Sequence, residues 1–176
     1  VGDATWNKNL PRMIEAVKKT NYSLVLVGKI WEVRDVRAVS NNPWNDDFKK
    51  VISQIENNPQ FVRLGFVEDE DLVRIYNIAS VLIMPSIYEG FGLPVLEAMN
   101  CGCPVICSRG GSLPEVAGDA AFYIDEQSSS SIAEGVKKVM SDSTLRKKLS
   151  EKGLAQARKF TIERSIRELV KVYEQI

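Results

Sequence analysis

Apolar positions along this chain alternate between two rhythms. In KNLPRMIEAVKK, Leu10, Met13, Ile14 and Val17 recur three and four residues apart, the spacing of one helix face. YSLVLVG follows at once, a short β-branched run closed by glycine, which reads as a strand. FVRLG, SVLIMP, PVICS and AAFYI repeat that second signature. Between them, DLVRIYNIA puts Leu72, Ile75 and Ile78 or Ala79 on the buried side of a helix. A polar stretch at 31–47, with Pro43 and paired asparagines, leads into another helix over Asp46 to Ile55, and a short one begins near LPEVAG. The end of a strand is also legible at the amino terminus, in VGDATWNK. Strands that alternate with helices make a parallel sheet covered on both faces. The expected fold is therefore α/β, a Rossmann-like doubly wound sheet of about six strands. SIAEGVKKVM, TLRKKLSEKGLAQARKF and TIERSIRELVKVYEQI then form a helical carboxy-terminal tail, expected to wrap the edge or bottom of the sheet. The serine run at 128–131 caps the first of these helices.

With 176 residues, 44% of them hydrophobic, the chain can bury one core, so residues 1–176 are read as a single domain. The truncated look of the first strand suggests a piece of a longer protein. Lysine plus arginine and aspartate plus glutamate each number 23, so net charge gives no case for a nucleic-acid partner. No apolar run approaches the roughly 20 residues that a membrane helix needs. Cys101, Cys103 and Cys107 are odd in number and crowded together, which suits a reduced, cytoplasmic protein better than a disulfide framework. Histidine is absent altogether. That removes the commonest general base, the serine and cysteine triads and most zinc sites, leaving carboxylates, lysines, arginines and backbone for any chemistry.

Ligands of open parallel sheets bind beyond the carboxyl ends of the strands. Three loops qualify: GDATWNK, GFVEDED and SIYEGFG. In the third, Gly90 and Gly92 permit a tight turn and Pro94 fits the first turn of a helix. The amides of Phe91, Gly92 and Leu93 then face outward at the positive end of the helix dipole, as a phosphate or hydroxyl oxygen would require. Glu89 precedes that helix and Glu97 lies about 7 Å along it. A carboxylate repels phosphate but accepts hydrogen bonds from two neighbouring hydroxyls. A ligand with phosphate in its middle and polyol at both ends, such as a sugar nucleotide, satisfies amides and acids together. On chemistry alone, Glu97 as a solvated helix residue and the glycines as an unliganded turn stay open.

The stretch SVLIMPSIYEGFGLPVLEAMNCGCPVICSRGGSLPEVAGDAAFYI resembles the carboxy-terminal half of family-4 retaining glycosyltransferases of the GT-B fold, with their E-x7-E motif at Glu89 and Glu97. The likeness runs from KNL through LGFV to the final helices. It implies a metal-independent transfer of a hexose from a nucleotide sugar, with no cofactor, to a glycan or lipid-linked acceptor. The acceptor pocket would belong to an amino-terminal domain absent from this chain, and a peripheral membrane association of the parent stays open. By resemblance, Glu89, Gly90, Phe91 and Gly92 grip the donor sugar, with Leu93 as an extra amide, and Glu97 holds the ribose. Lys8 neutralises the diphosphate and, with Glu89, carries the catalytic role. Val67, after LGF, lines the base through its backbone. GDATWNKNLP leans toward surface-polysaccharide transferases that use GDP-mannose, with UDP-sugars as the other donor class.

One position departs from that pattern. Asp3 stands where many relatives carry arginine, so one expected diphosphate cation is missing; either donor binding is weakened, or Asp3 instead meets sugar or base, and Arg34 or the better placed Arg109 replaces the cation. Arg109 is equally readable as an exposed loop arginine. EDED at 68–71 holds an Asp-x-Asp but precedes a helix, where capping and the dipole explain acids better than a metal does. The cysteines suit core packing. Packing is also the expected use of Trp6, Trp31 and Trp44, with Trp6 a possible stacking surface beside Lys8. A non-catalytic nucleotide-sugar-binding or scaffold module is the alternative function. A dehydrogenase on a similar sheet would need the glycine fingerprint and a following acidic residue, and GFGLPV supplies neither.

Overall fold

A computed structural model describes residues 1–33 and 46–175. Arg34, Trp44 and the polar stretch between them lie outside the described residues. After one 3-10 turn at Trp6–Lys8, the order is α1 (Leu10–Lys18), β1 (Leu24–Val27), a second 3-10 turn at Lys29–Glu32, α2 (Asp46–Ile55), β2 (Phe61–Gly65), α3 (Asp69–Ile78) and β3 (Leu82–Met84). There follow α4 (Leu93–Asn100), β4 (Val105–Cys107), α5 (Leu113–Ala117), β5 (Ala121–Tyr123), α6 (Ser129–Ser141), α7 (Ser143–Ala157) and α8 (Ile162–Tyr173).

All strand pairs are parallel, and helices separate the strands, as the alternating pattern requires. The five strands of the described residues, one fewer than expected, form two groups, β1 with β2 and β3-β4-β5. The amino-terminal stretch does not form the sixth. It contributes a single sheet-like bond, from the Gly2 amide to the Val27 carbonyl at 2.9 Å.

Three apolar clusters fill the interior. Leu10, Met13, Ile14 and Val17 of α1 are buried against α2 and β1, with Trp31 packed edge-on against Phe48. The all-buried triplet Val105–Cys107 sits beneath α4 and α5. Ile132 and Val136 of α6 close the remaining side over β4. On α3 the fourth position of the expected buried side is taken by Ala79, the alternative to Ile78. Ile78 is 83% exposed, Leu72, Ile75 and Ala79 are partly covered, and Tyr76 is the side chain that goes fully inside. Apolar spacing alone does not point to an aromatic ring with a polar tip.

The serine cap holds: Ser128 Oγ accepts from the Ser131 amide at 3.1 Å. The tail wraps the domain only in part. Helix α7 packs on α4 and α5, whereas every described residue of α8 is exposed, including Ile162, Ile166, Leu169 and Tyr173. Its amphipathic stripe has no partner within the described residues.

Candidate functional site

The first loop is shaped by two asparagines. Asn9 adopts a left-handed conformation (φ 55°), which a short polar side chain tolerates better than most, and this ends the 3-10 turn and starts α1. Its side chain, 2% exposed, donates to the carbonyls of Pro85 (2.9 Å) and Glu126 (2.7 Å). The Asn7 carbonyl accepts the Ile87 amide at 2.7 Å, and the Asn7 side chain donates to the Tyr88 carbonyl at 3.0 Å. Sequence reading passed over both residues. Their polar side chains in a loop gave no sign that they bond backbone 76 to 117 positions away. These bonds hold the 5–9 loop against the segment after β3 and bring Lys8 to Glu89.

Glu89 is 7% exposed, and its Oε1 accepts from Lys8 Nζ at 2.8 Å and from Ser86 Oγ at 2.6 Å. Its carbonyl accepts from the amide and hydroxyl of Ser112, at 3.0 and 3.1 Å. Those contacts depend on the glycine pair after β4. A Cβ on Gly110 would stand 2.3 Å from the Ile87 carbonyl oxygen, and one on Gly111 would stand 2.2 Å from that of Glu89. Paired glycines just beyond a strand end were the signal available for this close approach. Ser112, Ser86 and Ser108, whose hydroxyl bonds the Ser86 carbonyl, offered no such signal.

From Glu89 the chain turns through Gly92, whose φ of 94° favours glycine, into α4. Pro94 occupies the first turn, as expected. Phe91 is 44% exposed, packs edge-on against Phe160 and offers its carbonyl to Ser112. The amides of Phe91, Gly92 and Leu93 donate to no group among the described residues. They stand at the amino end of α4, where orphan donors and the helix dipole favour oxygen ligands. One turn further, half-buried Glu97 accepts the Tyr76 hydroxyl on Oε2 at 2.9 Å. Burial, and then the Glu97 charge, raise the Tyr76 pKa well above the ordinary phenol range, so Tyr76 remains a donor at any working pH. The pattern of α3 gave no hint of this partner.

The structure thus brings Lys8, Glu89, the three amides and Glu97 into one loop-helix unit. The other candidates lie at its edge or away from it. Asp3 is exposed and lies on a shallow pocket of about 30 Å³ that Lys8 and Ser86 also line. Val67 follows β2, half-buried, with no hydrogen bond to Lys8 or either glutamate. Arg109 places its guanidinium 4.0 Å from the centre of the Tyr123 ring, a cation-π contact. Trp6 is 65% exposed next to Lys8, and Trp31 is core.

In EDED the N-cap is Glu68, but its side chain makes no capping bond; Asp69, Glu70 and Asp71 form the first turn of α3, where the dipole favours them, and Arg74 pairs with Asp71 at 2.6 Å. Cys103 and Cys107 lie in the core, and burial pushes their thiols up to about 11 and about 12. Cys101 is half-buried and also raised. Thiols so disfavoured as thiolates are poor nucleophiles. No described helix is long and apolar enough to cross a membrane.

Comparison with known proteins gives this geometry its context. The chain is 39% identical over 132 residues to O-antigen chain mannosyltransferase B of Escherichia coli, covering 74% of this chain and 35% of that protein. It superposes on HepE of Anabaena, solved with UDP and glucose, with TM-score 0.80, 19% identity and coverage of 99% of this chain and 47% of that one. For sucrose-phosphate synthase of Thermosynechococcus elongatus the TM-score is 0.76, at 22% identity, covering 96% of this chain and 42% of that one. The chain therefore spans less than half the length of these proteins. The family profile described as glycosyl transferases group 1 matches residues 1–156, and the chain belongs to that family, on the GT-B fold.

Proposed function

We propose that the chain is the donor-binding half of a retaining hexosyltransferase that moves a sugar from a nucleotide sugar to a glycan or lipid-linked acceptor in surface-polysaccharide synthesis. One observation carries this reading. The Lys8–Glu89 pair adjoins three unpartnered amides, and Glu97 stands one turn beyond them, so cation, oxyanion donors and hydroxyl acceptors share one unit. Mannose is the favoured sugar, supported by a relative named as a mannosyltransferase. GDP-mannose is the favoured donor, with a UDP-sugar second, and HepE with UDP and glucose is a precedent for the ligand class. Three free cysteines suit a reducing cytoplasm.

On this reading Glu89 binds donor-sugar hydroxyls through the oxygen that Lys8 leaves open, and Glu97 binds the ribose diol. Lys8 and the amides of Phe91, Gly92 and Leu93 stabilise the diphosphate as charge develops on it, electrostatic catalysis that needs no metal. Val67 lies beyond β2 as the base-side candidate, and Arg109 would add a second cation only by leaving Tyr123. The acceptor pocket belongs to a preceding domain, which the length of the relatives supports. The isolated chain would bind donor and transfer little. Titration calorimetry with GDP, UDP, ADP and dTDP should detect one preferred nucleotide, with Lys8→Ala and Glu97→Ala each weakening it; no binding of any nucleoside diphosphate would remove the assignment.

A second reading, a nucleotide-sugar-binding module without catalysis, draws on Asp3, an exposed acid where the family's arginine is expected. A parent that binds donor yet transfers to no acceptor would favour it.

A further inference from the structure

The unpartnered amides of Phe91 and Gly92 lie in a stretch that its own sequence leaves loose. Glycine flanks Phe91 on both sides, and glycine has the widest choice of backbone conformations and the most entropy to lose on ordering. A Cβ on Gly90 would meet nothing within 4 Å, unlike the backbone of Glu89, which lies wedged against Gly110 and Gly111. Gly92 passes close over α5, where a Cβ would stand 2.8 Å from Leu113 Cδ2. Phe91 is therefore the one side chain able to anchor residues 90–92.

It has two anchors. Its carbonyl accepts the Ser112 hydroxyl at 2.8 Å, but that hydroxyl also reaches the Glu89 carbonyl at 3.1 Å, so a single O–H is shared between two acceptors. The second anchor is the ring. Phe91 and Phe160 stand 6.1 Å apart between ring centres with their planes at 83°, the edge-to-face arrangement that aromatic pairs favour. Phe160 is itself fixed: it follows α7, its amide bonds the Ala157 carbonyl at 3.0 Å, and its ring packs on the core cluster that holds Val95 and Leu113. The same end of α7 also grips α5, because buried Gln156 donates to the Val116 carbonyl at 2.9 Å. Both anchors thus lead back to residues 156–160. Phe91 is 44% exposed, too open to add much to the core, so the effect of the ring pair falls on the loop.

We propose that Phe160 is a positioning residue for the amide cradle: its ring holds Phe91, and through Phe91 it fixes the amides of Phe91 and Gly92 ahead of binding. Donors ordered in advance cost nothing to arrange when charge arrives, whereas a loose Gly-Phe-Gly segment would give up its freedom at each binding event. The ordering of the loop rests on these contacts alone; its value to a diphosphate rests on the donor reading above.

Two variants of the 176-residue chain test it: Phe160→Leu keeps apolar bulk and removes the ring, and Phe160→Tyr keeps the ring. Order parameters of the Phe91 and Gly92 amides from NMR relaxation should fall from about 0.85 to below about 0.7 in Phe160→Leu and recover in Phe160→Tyr. Exchange of the Ser112 amide, which bonds the Glu89 carbonyl, should speed by at least about 10-fold while Val105 and Ile106 of β4 stay unchanged. In a Phe91→Leu background Phe160→Leu should add nothing to either measurement, because it acts through the lost ring. Affinity for GDP-mannose or UDP-glucose, whichever the unaltered chain binds, should fall about fivefold with Phe160→Leu and hold with Phe160→Tyr. Should Phe160→Leu fail to fold, Phe91→Leu, on the exposed side of the pair, must loosen the loop alone. Amides that stay rigid without the ring overturn the proposal, and so does exchange that speeds at Val105, Ile106 and Ser112 alike, which would make Phe160 a core residue only. Unchanged donor affinity in a variant whose loop has loosened overturns it too. If the unaltered chain binds neither nucleotide sugar, the donor reading fails, and the order parameters still decide whether Phe160 holds the loop.

Discussion

Glu89 and Glu97 are the same residue on one loop-helix unit, yet the protein treats them differently. Glu89 is buried, paired with a cation and a hydroxyl, its carbonyl doubly bonded, on backbone wedged against two glycines. Glu97 is half-buried and held by one phenol. The first is part of the fold and is oriented before any ligand arrives. The second keeps accepting capacity in reserve. A site of this kind separates a rigid grip from an adjustable one, and substitutions should reveal the separation as unequal effects on stability and on binding.

The largest effect is expected under Glu89. Gly111→Ala puts a methyl 2.2 Å from the Glu89 carbonyl oxygen at a φ of 62°, so the loop must move. The expected loss is about 3 kcal/mol, or roughly 6–12 °C in a chain of this size, with nucleotide binding abolished. An unchanged melting temperature would show that the Glu89 loop is not braced from β4.

That brace also marks the limit of what the sequence discloses. Five of the six strand runs, the buried face of α1, the proline-started helix and the serine cap follow from local spacing and chemistry, and the structure has them. What spacing cannot show is a bond between distant segments. Asn7 and Asn9 meet carbonyls after β3, Ser112 meets Glu89, and Tyr76 meets Glu97, each an encounter made by topology alone. The burial of Tyr76 is of the same kind, set by the packing of α3 on α4. The two glutamates, Lys8 and the amides were legible through turn chemistry and family resemblance; their supports were not.

Lys8→Met should come next. It leaves the Glu89 carboxylate buried with Ser86 as its remaining side-chain donor, at a cost of about 2 kcal/mol, below the range for fully buried pairs because the lysine keeps some solvent contact. Adding Glu89→Gln should recover part of that loss, since the second change removes the orphaned charge. A double-mutant cycle by denaturant melts measures the coupling, and simple additivity would show that the pair is not a structural unit. Glu97→Gln, by contrast, should leave stability within about 0.5 kcal/mol and be felt in nucleotide affinity.

Tyr76→Phe probes the adjustable side. It removes one hydrogen bond to a charged partner, about 1 kcal/mol, and frees Glu97 to rotate. Nucleotide affinity should fall about fivefold. Because Tyr76 stays protonated, the ratio of variant to parent affinity should be flat from pH 6 to 9. A ratio that drifts across that range would mean that another titrating group positions Glu97.

The smallest expected effect is the most discriminating. Gly90 sits between the rigid and adjustable halves, is exposed, and a Cβ built on it meets nothing within 4 Å. Nothing in the protein requires glycine there, so Gly90→Ala should change stability by less than about 0.5 kcal/mol. If the glycine is there for a ligand that approaches the backbone closely, the same methyl should weaken nucleotide-sugar binding while sparing the bare nucleotide, since the proposed donor pose sets the sugar end against Glu89 and the ribose against Glu97. Equal weakening of both would move the sugar away from Glu89 and exchange the roles assigned to the two carboxylates. No weakening of either would make Gly90 a residue of the turn alone, and the grip would begin at the Phe91 amide.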